Sequence, residues 1–391
     1  MNARRLLLEL FDSALRAVDG RSSVATALSN HSRKRAAVFA IGKAACSMAL
    51  GARDALADHI DQTFIVTKEG HVDPQLEGAG VTILESAHPV PDERSLAAGA
   101  ELARRVAGLS LDLWPVFLVS GGSSSLVDLL HEGHTLDSLR GLNERGLAAG
   151  WDIRTLNVER TRISRLKGGG ISRLLGAREA MALFISDVPG DDPGVIGSGL
   201  LGSGHDGDRV TRVVVANNDA AVRAAILAGA AHGLTLEAAP RRFDGDVGQV
   251  AAGFLDALRA THADGLVWGG ESTVTLPALH GRGGRNTHLA LTIARALRPG
   301  ERLQILAVGT DGTDGPTQDA GAIVDAGTVE RATIAGCDVE RAWRDFDSGI
   351  ALEAAEDLVH TGPTGTNVGD ILIGLKQTAN SLRGDPLPRM L

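Results

Sequence analysis

Short apolar runs recur along this chain, and most end in a glycine- or aspartate-rich loop before a helical stretch begins. AAVFAIG (36–42), QTFIVT (62–67), GVTILES (80–86), PVFLVS (115–120), MALFISDV (181–188), RVVVANN (212–218), DGLVWGGE (264–271), QILAVGTDG (304–312) and DILIGL (370–375) all fit this description. Runs of this length bounded by turn formers read as buried strands. Their alternation with helical stretches, such as 44–56, predicts α/β units around mostly parallel sheets. A length of 391 residues allows two or three domains. The polar segment AAPRRFDGDVG (238–248), with Pro240 and Gly245, is the expected boundary. It separates a Rossmann-like α/β domain over 1–240 from a second α/β domain over 241–391. The 49 glycines form no collagen period or low-complexity run. They belong in turns, where a backbone comes close to a ligand.

Composition removes several classes. Thirty-nine basic against 48 acidic residues leave a net charge of −9. A general binder of nucleic acid or anionic membrane carries a broad basic face instead. Tyrosine is absent and aromatics are 3%, so base-stacking platforms are scarce. Cys46 and Cys337 make no CxxC and no disulfide framework, which suits a reducing cytoplasm. The opening MNARRLLLELFDSALRAV is broken by Glu9 and Asp12 and reads as an amphipathic helix rather than a signal peptide. No apolar stretch reaches 18 residues, so no membrane-spanning helix is expected.

In open α/β sheets, ligands bind beyond the carboxyl ends of strands, and the chain's distinctive loops sit there. In IGKAACS (41–47), Lys43 follows a strand and opens a helix. A cation there opposes the helix dipole, and an anionic ligand relieves the conflict; an ordinary surface lysine is the plain alternative. SGGSSSLVDLL (120–130) brings Gly121, Gly122, Ser123, Ser124 and Ser125 to another strand end. It is a candidate anion cradle, or simply a serine cap after a glycine turn. SDVPGDDP (186–193) and GTDGTDGPTQD (309–319) place Asp187, Asp191, Asp192, Asp311 and Asp314 just past strands. Such aspartates can hold Mg²⁺, act as bases, or close Asx-turns. Segment 151–180 sets Arg154, Arg160, Arg162, Arg165, Lys167, Arg173 and Arg178 against Asp152, Glu159 and Glu179. That is a wall for a polyanion or a solvated helix face. In GGESTVTLPALHGRGGRN (269–286), Glu271 follows a strand and Arg285–Asn286 opens a helix. An arginine there can grip a carboxylate or phosphate bidentately.

Several motifs fail on context. GSGLLG (197–202) matches the dinucleotide fingerprint but follows a loop and precedes GSGHDGD, not a helix. IGKAAC is no P-loop, HEGH (131–134) is no zinc motif, and SRLK (164–167) lacks its companion motifs.

Taken in order, IGKAACSM, SAHPVPDERSLAAG, VSGGSSSL, ISDVPGDDPGVIGSG, GGESTVTL with GRGGRN, GTDGTDGPTQDAGAIVD and TGPTGTNVGD resemble the glycerate 2-kinase family that carries the MOFRL domain. The resemblance spans about residues 40 to 375. It implies two α/β domains with an interdomain cleft, the second containing the MOFRL region, and ATP- and Mg²⁺-dependent phosphorylation of D-glycerate, mostly at the 2-hydroxyl. It implies catalytic roles for Lys43 and Arg285; Asp187, from the loop reading above, is a third catalytic candidate. Asp187 and Asp311 are the metal candidates. Gly121, Gly122, Ser123, Ser124, Lys167, Asp191, Glu271, Asn286, Asp314 and Asn367 are the binding candidates. The chain departs from the family where GRNQE becomes Arg285-Asn286-Thr287-His288, and where a histidine before KGG is replaced within Arg160-Thr161-Arg162. The expectation is a cytoplasmic kinase acting on a small hydroxy acid and nucleotide, with a homodimer left open. The alternatives are a kinase of another sugar acid, an NAD(P)H-dependent hydroxypyruvate reductase and a non-catalytic sensor.

Overall fold

The computed structural model describes residues 2–31, 34–149, 153–204, 207–277 and 279–377. These fold as two compact units, one of residues 18–217 with 365–368, the other of 2–17, 218–364 and 369–377. All nine expected runs are strands, and three short ones join them. In chain order they are β1 (Ala36–Ile41), β2 (Ile60–Lys68), β3 (Val81–Ser86), β4 (Trp114–Val119), β5 (Ala180–Ser186), β6 (Val210–Asn217), β7 (Leu236–Ala238), β8 (Gly265–Gly270), β9 (Leu303–Gly309), β10 (Gly321–Asp325), β11 (Leu358–Val359) and β12 (Asp370–Lys376).

The first unit holds the sheet β3-β2-β1-β4-β5-β6, with every pairing parallel. Parallel strands covered on both faces need apolar residues on both, and β1, β4 and β5 are buried throughout. Phe39, Phe64, Phe117 and Phe184 come from the four central strands and are almost wholly buried. Phe39 lies in register with Phe64 and Phe117, and stacks on Phe117 at 5.1 Å between ring centroids. Cross-strand aromatic pairs of this kind fix register as well as adding stability.

The second unit holds the order β11-β10-β9-β12-β8-β7. Parallel pairing prevails over the two sheets together, but the first sheet carries it. In the second only β7 and β8 are parallel, and the other four pairings are antiparallel. The alternation rule misses this because the chain returns from β9 to β10 through the loop 310–320 with no helix between. Helix Val247–Ala260 buries Val247, Val250, Ala251, Phe254, Leu255 and Leu258, the spacing of one helical face. Trp268 closes that core, stacked on Phe254 and edge-on to Phe243. The two units meet in the chain at Asn217/Asn218, while the expected boundary was 240/241. Helix Asn218–Ala231 packs on β8, and β7 pairs with it, so both join the second unit. The N-terminal helix Ala3–Ala17 is amphipathic as expected. It buries Leu6, Leu7, Leu10, Phe11 and Ala14 and packs on Asn218–Ala231. Among the described residues no helix is long and apolar enough to cross a membrane.

Candidate functional site

The strand order 3-2-1-4-5-6 reverses between β1 and β4, and ligands of open α/β sheets bind at that reversal. The loops leaving these two strands carry Lys43 and the SGGSSS turn, and backbone bonds join them. Ser120 N donates to Ile41 O at 3.0 Å, Lys43 N to Gly121 O at 3.0 Å, and Ala44 N to Ser120 Oγ at 3.0 Å. Lys43 is half-buried, one residue before the cap of helix Ala45–Leu56. Gly121 explains why the turn must lack a side chain. A Cβ there would lie 1.9 Å from Asp187 Oδ2 and 2.0 Å from Asn367 Nδ2. Asn367 Nδ2 in turn donates to Asp187 Oδ2 at 3.0 Å. Gly122 is left-handed at φ 84°, and a Cβ on it would press on His88 and on the Lys43 stem. The structure therefore gathers Lys43, Gly121, Gly122, Asp187 and Asn367 in one place.

The serines divide. Ser124 Oγ meets Ser198 Oγ at 2.6 Å, and Ser125 Oγ donates to Gly122 O at 3.0 Å. Ser123 Oγ is buried with no hydrogen-bond partner among the described residues. The helix they open, Ser123–Leu126, is a single turn, so its dipole adds little. Asp191 is left-handed at φ 53° and accepts from Asn217 Nδ2 at 2.7 Å. Asp192 takes the plain alternative, an Asx-turn in which Gly194 N donates to Oδ1 at 2.8 Å.

The basic segment is no continuous wall. Arg162 pairs with Glu159 on the surface, Arg173 donates to the Gly168 and Lys167 carbonyls, and Arg178 to those of Leu109 and Ser110. Asp152 and the side chain of Arg154 lie outside the described residues. Lys167 is fully buried and paired with buried Asp128. Burial lowers the Lys167 pKa against the pull of Asp128. Arg160 is likewise lowered by burial. Sequence reasoning passed over His88 and Asp128; a lone aspartate in the apolar run LVDLL was the available signal.

In the second unit, Arg285 opens helix Arg285–Ala296. Its guanidinium pairs with Glu271 and lies 3.7 Å from Asp370 Oδ2. Burial opposes its charge, but Asp370 and Glu271 outweigh burial and raise its pKa. Asp370 is buried; burial raises its pKa, Arg285 opposes and Glu271 reinforces. Its Oδ1 accepts from Asn286 Nδ2 at 3.0 Å. Asp370 was missed because it reads as the polar first residue of a strand. Asp314 is buried with both oxygens spent on this helix. It accepts from Asn286 N at 2.9 Å, Thr287 N at 2.7 Å and Thr287 Oγ1 at 2.8 Å. It secures the helix that carries Arg285, in the place where a carboxylate suits the dipole. Asp311 closes an Asx-turn, accepting from Thr313 N at 3.0 Å.

His288 faces inward from the same helix, 2.8 Å from Ser348 Oγ and stacked between Phe346 and Trp343. Burial lowers its pKa from 6.5 to about 4. The folded protein thus binds this proton more weakly than the unfolded chain does. Stability is unaffected well above pH 6.5 and falls as pH drops from there to about 4. Urea titrations at pH 7.5, 6 and 5 are expected to show this loss, with a shallower slope in His288→Gln. Equal slopes would remove His288 as the source.

The fold and these loops define an α/β protein in two parts, one with Rossmann strand order and a lysine at its switch point, the other with an arginine-headed helix. Comparison with known proteins makes the class specific. Residues 6–226 match the domain of unknown function DUF4147, and residues 265–370 match the MOFRL family. The chain belongs to this two-part family. It is similar to the D-glycerate 2-kinase of Thermotoga maritima, 31% identical over 95% of this chain and 98% of that one. A relative from Agrobacterium vitis that bears a hydroxypyruvate reductase name is 34% identical over 95% of this chain and 94% of its own. Among solved structures, the glycerate kinase of Thermotoga maritima superposes with a TM-score of 0.83 at 30% identity, covering 96% of this chain and 99% of that one.

Proposed function

We propose that this protein transfers the γ-phosphoryl group of ATP to D-glycerate, giving 2-phosphoglycerate. The observation that carries the reading is the junction of Lys43, the SGG turn, Asp187 and Asn367 at the β1/β4 switch point, in a chain similar along its length to D-glycerate 2-kinase. Phosphoryl transfer asks a protein chiefly for positioning and charge neutralisation. Lys43 neutralises charge on the migrating group, and in the second unit Arg285 is held by Glu271 and Asp370 as a cation suited to an anionic ligand. The oxygen at C2 gains the phosphorus as the bond to ADP breaks, and its hydroxyl proton passes to a carboxylate or to water.

For Mg²⁺, no three His, Cys, Asp or Glu groups cluster as a metal site among the described residues. Asp187, exposed in part beside the SGG turn, fits the more modest demand of one carboxylate, the remaining ligands being phosphate oxygens and waters. Asp311 spends Oδ1 on its own turn and fits less well. When bound, the ion would neutralise phosphate charge.

The test is ATP consumption by the pure protein over a panel of small hydroxy acids, with NMR of the product. ADP formation dependent on D-glycerate, with phosphate on C2, is the expected result. Oxidation of NADH by hydroxypyruvate without ATP consumption would replace the reading with a reductase. The GSGLLG segment gives that alternative no support, since it forms a short 3₁₀ turn at Ile196–Ser198 rather than a strand-to-helix junction.

A further inference from the structure

Beside Gly122 the first unit has a half-open cavity of about 210 Å³. His88, Ser124, Ser125, Arg160 and Lys167 line it with Gly122, and among the described residues no carboxylate lines it. Lys167 is 1% exposed, a burial that an ammonium tolerates only when paired. Asp128, behind it, is the ammonium's hydrogen-bond partner among the described residues, and an ammonium has three N–H donors. Asp128 is itself committed elsewhere. Its Oδ1 accepts from Ser164 Oγ at 2.5 Å and from Leu129 N at 2.9 Å. Two cationic side chains, Lys167 and Arg160, thus line this cavity, with Asp128 paired to the first of them. The volume lies below the roughly 300–1,000 Å³ of sites for drug-sized ligands, so it suits a few heavy atoms. Lys43 borders the same place, since its Cγ lies 3.2 Å from where a Cβ on Gly122 would stand.

We infer that this cavity is the acid-recognition pocket, in which Arg160 and Lys167 hold the carboxylate of a small 2-hydroxy acid next to Lys43. The inference rests on the reading that the acceptor is such an acid, and assigns the acid, not the nucleotide, to this cavity. It also accounts for the buried ion pair. Asp128 keeps Lys167 charged and fixed while the pocket is empty, and the ligand carboxylate then shares its remaining donors. A neutral triol of the same size lacks the group these cations are placed to receive.

Calorimetric titration without nucleotide tests this independently of catalysis. D-glycerate is expected to bind the wild type and glycerol not to bind. Arg160→Met is expected to weaken D-glycerate at least tenfold while leaving the ATP affinity unchanged. D-glycerate binding undiminished in Arg160→Met, or a loss falling on ATP instead, overturns the inference. So does equal binding of glycerol by the wild type, a result that needs no variant to fold. Phosphorylation of D-glycerate with an unaltered KM in Arg160→Met would sink the pocket and leave the kinase reading standing. Tight, Arg160-dependent binding of D-glycerate without ATP consumption would do the reverse.

Discussion

Lys43→Ala is expected to lower turnover on D-glycerate by about 10²–10³, the usual cost of removing one preorganised charge donor. The fold should survive. The bonds that fix this loop run through the backbone of Lys43, Ala44 and Ser120 and the Ser120 hydroxyl, none of which the substitution removes. Lys43 is half-buried, so alanine leaves no large sealed void. The loss should fall on kcat more than on KM, since the lysine acts on charge that develops during transfer. Lys43→Arg should not restore the rate, because a planar fork cannot place its charge where an ammonium stood. Steady-state kinetics beside a thermal melt checks this, and near-normal turnover in a folded variant removes Lys43 from the mechanism. Arg285→Ala is a less clean experiment. Arg285 also faces buried Asp370, and its removal leaves that carboxylate without its cation. Activity and local order would then fall together.

The fold was legible where pattern and physics coincide. The nine apolar runs became strands because a doubly covered sheet has few other ways to use them. Pairing direction in the second sheet was not legible. It depends on whether the chain returns by a helix or by a bare loop, and GTDGTDGPTQD looks the same in either case. Site residues followed the same line. Lys43, Gly121 and Asp187 stand out as candidates because strand ends point to them, and the structure brings them together. Asp314 was a binding candidate whose oxygens the structure commits to a helix start, and sequence cannot tell a loop carboxylate that binds a ligand from one that caps a distant helix. Asp128 and Asp370 were missed because each sits in an apolar run and acquires meaning only from a cation remote in sequence.

Asp128→Ala is expected to destabilise the protein by about 3–5 kcal/mol, the cost of leaving a buried charge without its partner. Asp128 and Lys167 are each 1% exposed, and water taking the place of the lost carboxylate would not replace its charge. Ser164 Oγ and Leu129 N lose an acceptor in the same step. The pair itself need not be a net source of stability, since desolvation offsets much of its attraction. That distinction is testable with Asp128→Asn combined with Lys167→Met. The double variant holds no buried charge, and an amide oxygen can still accept from Ser164 and Leu129. It should recover most of the stability lost in Asp128→Ala, measured as the midpoint of thermal unfolding. It should nevertheless fail to bind D-glycerate, having lost the ammonium that Asp128 was keeping charged. A stable double variant with wild-type affinity would mean that the ion pair serves packing alone. A double variant as unstable as Asp128→Ala would mean that hydrogen bonding and shape, rather than charge, set the cost at this position.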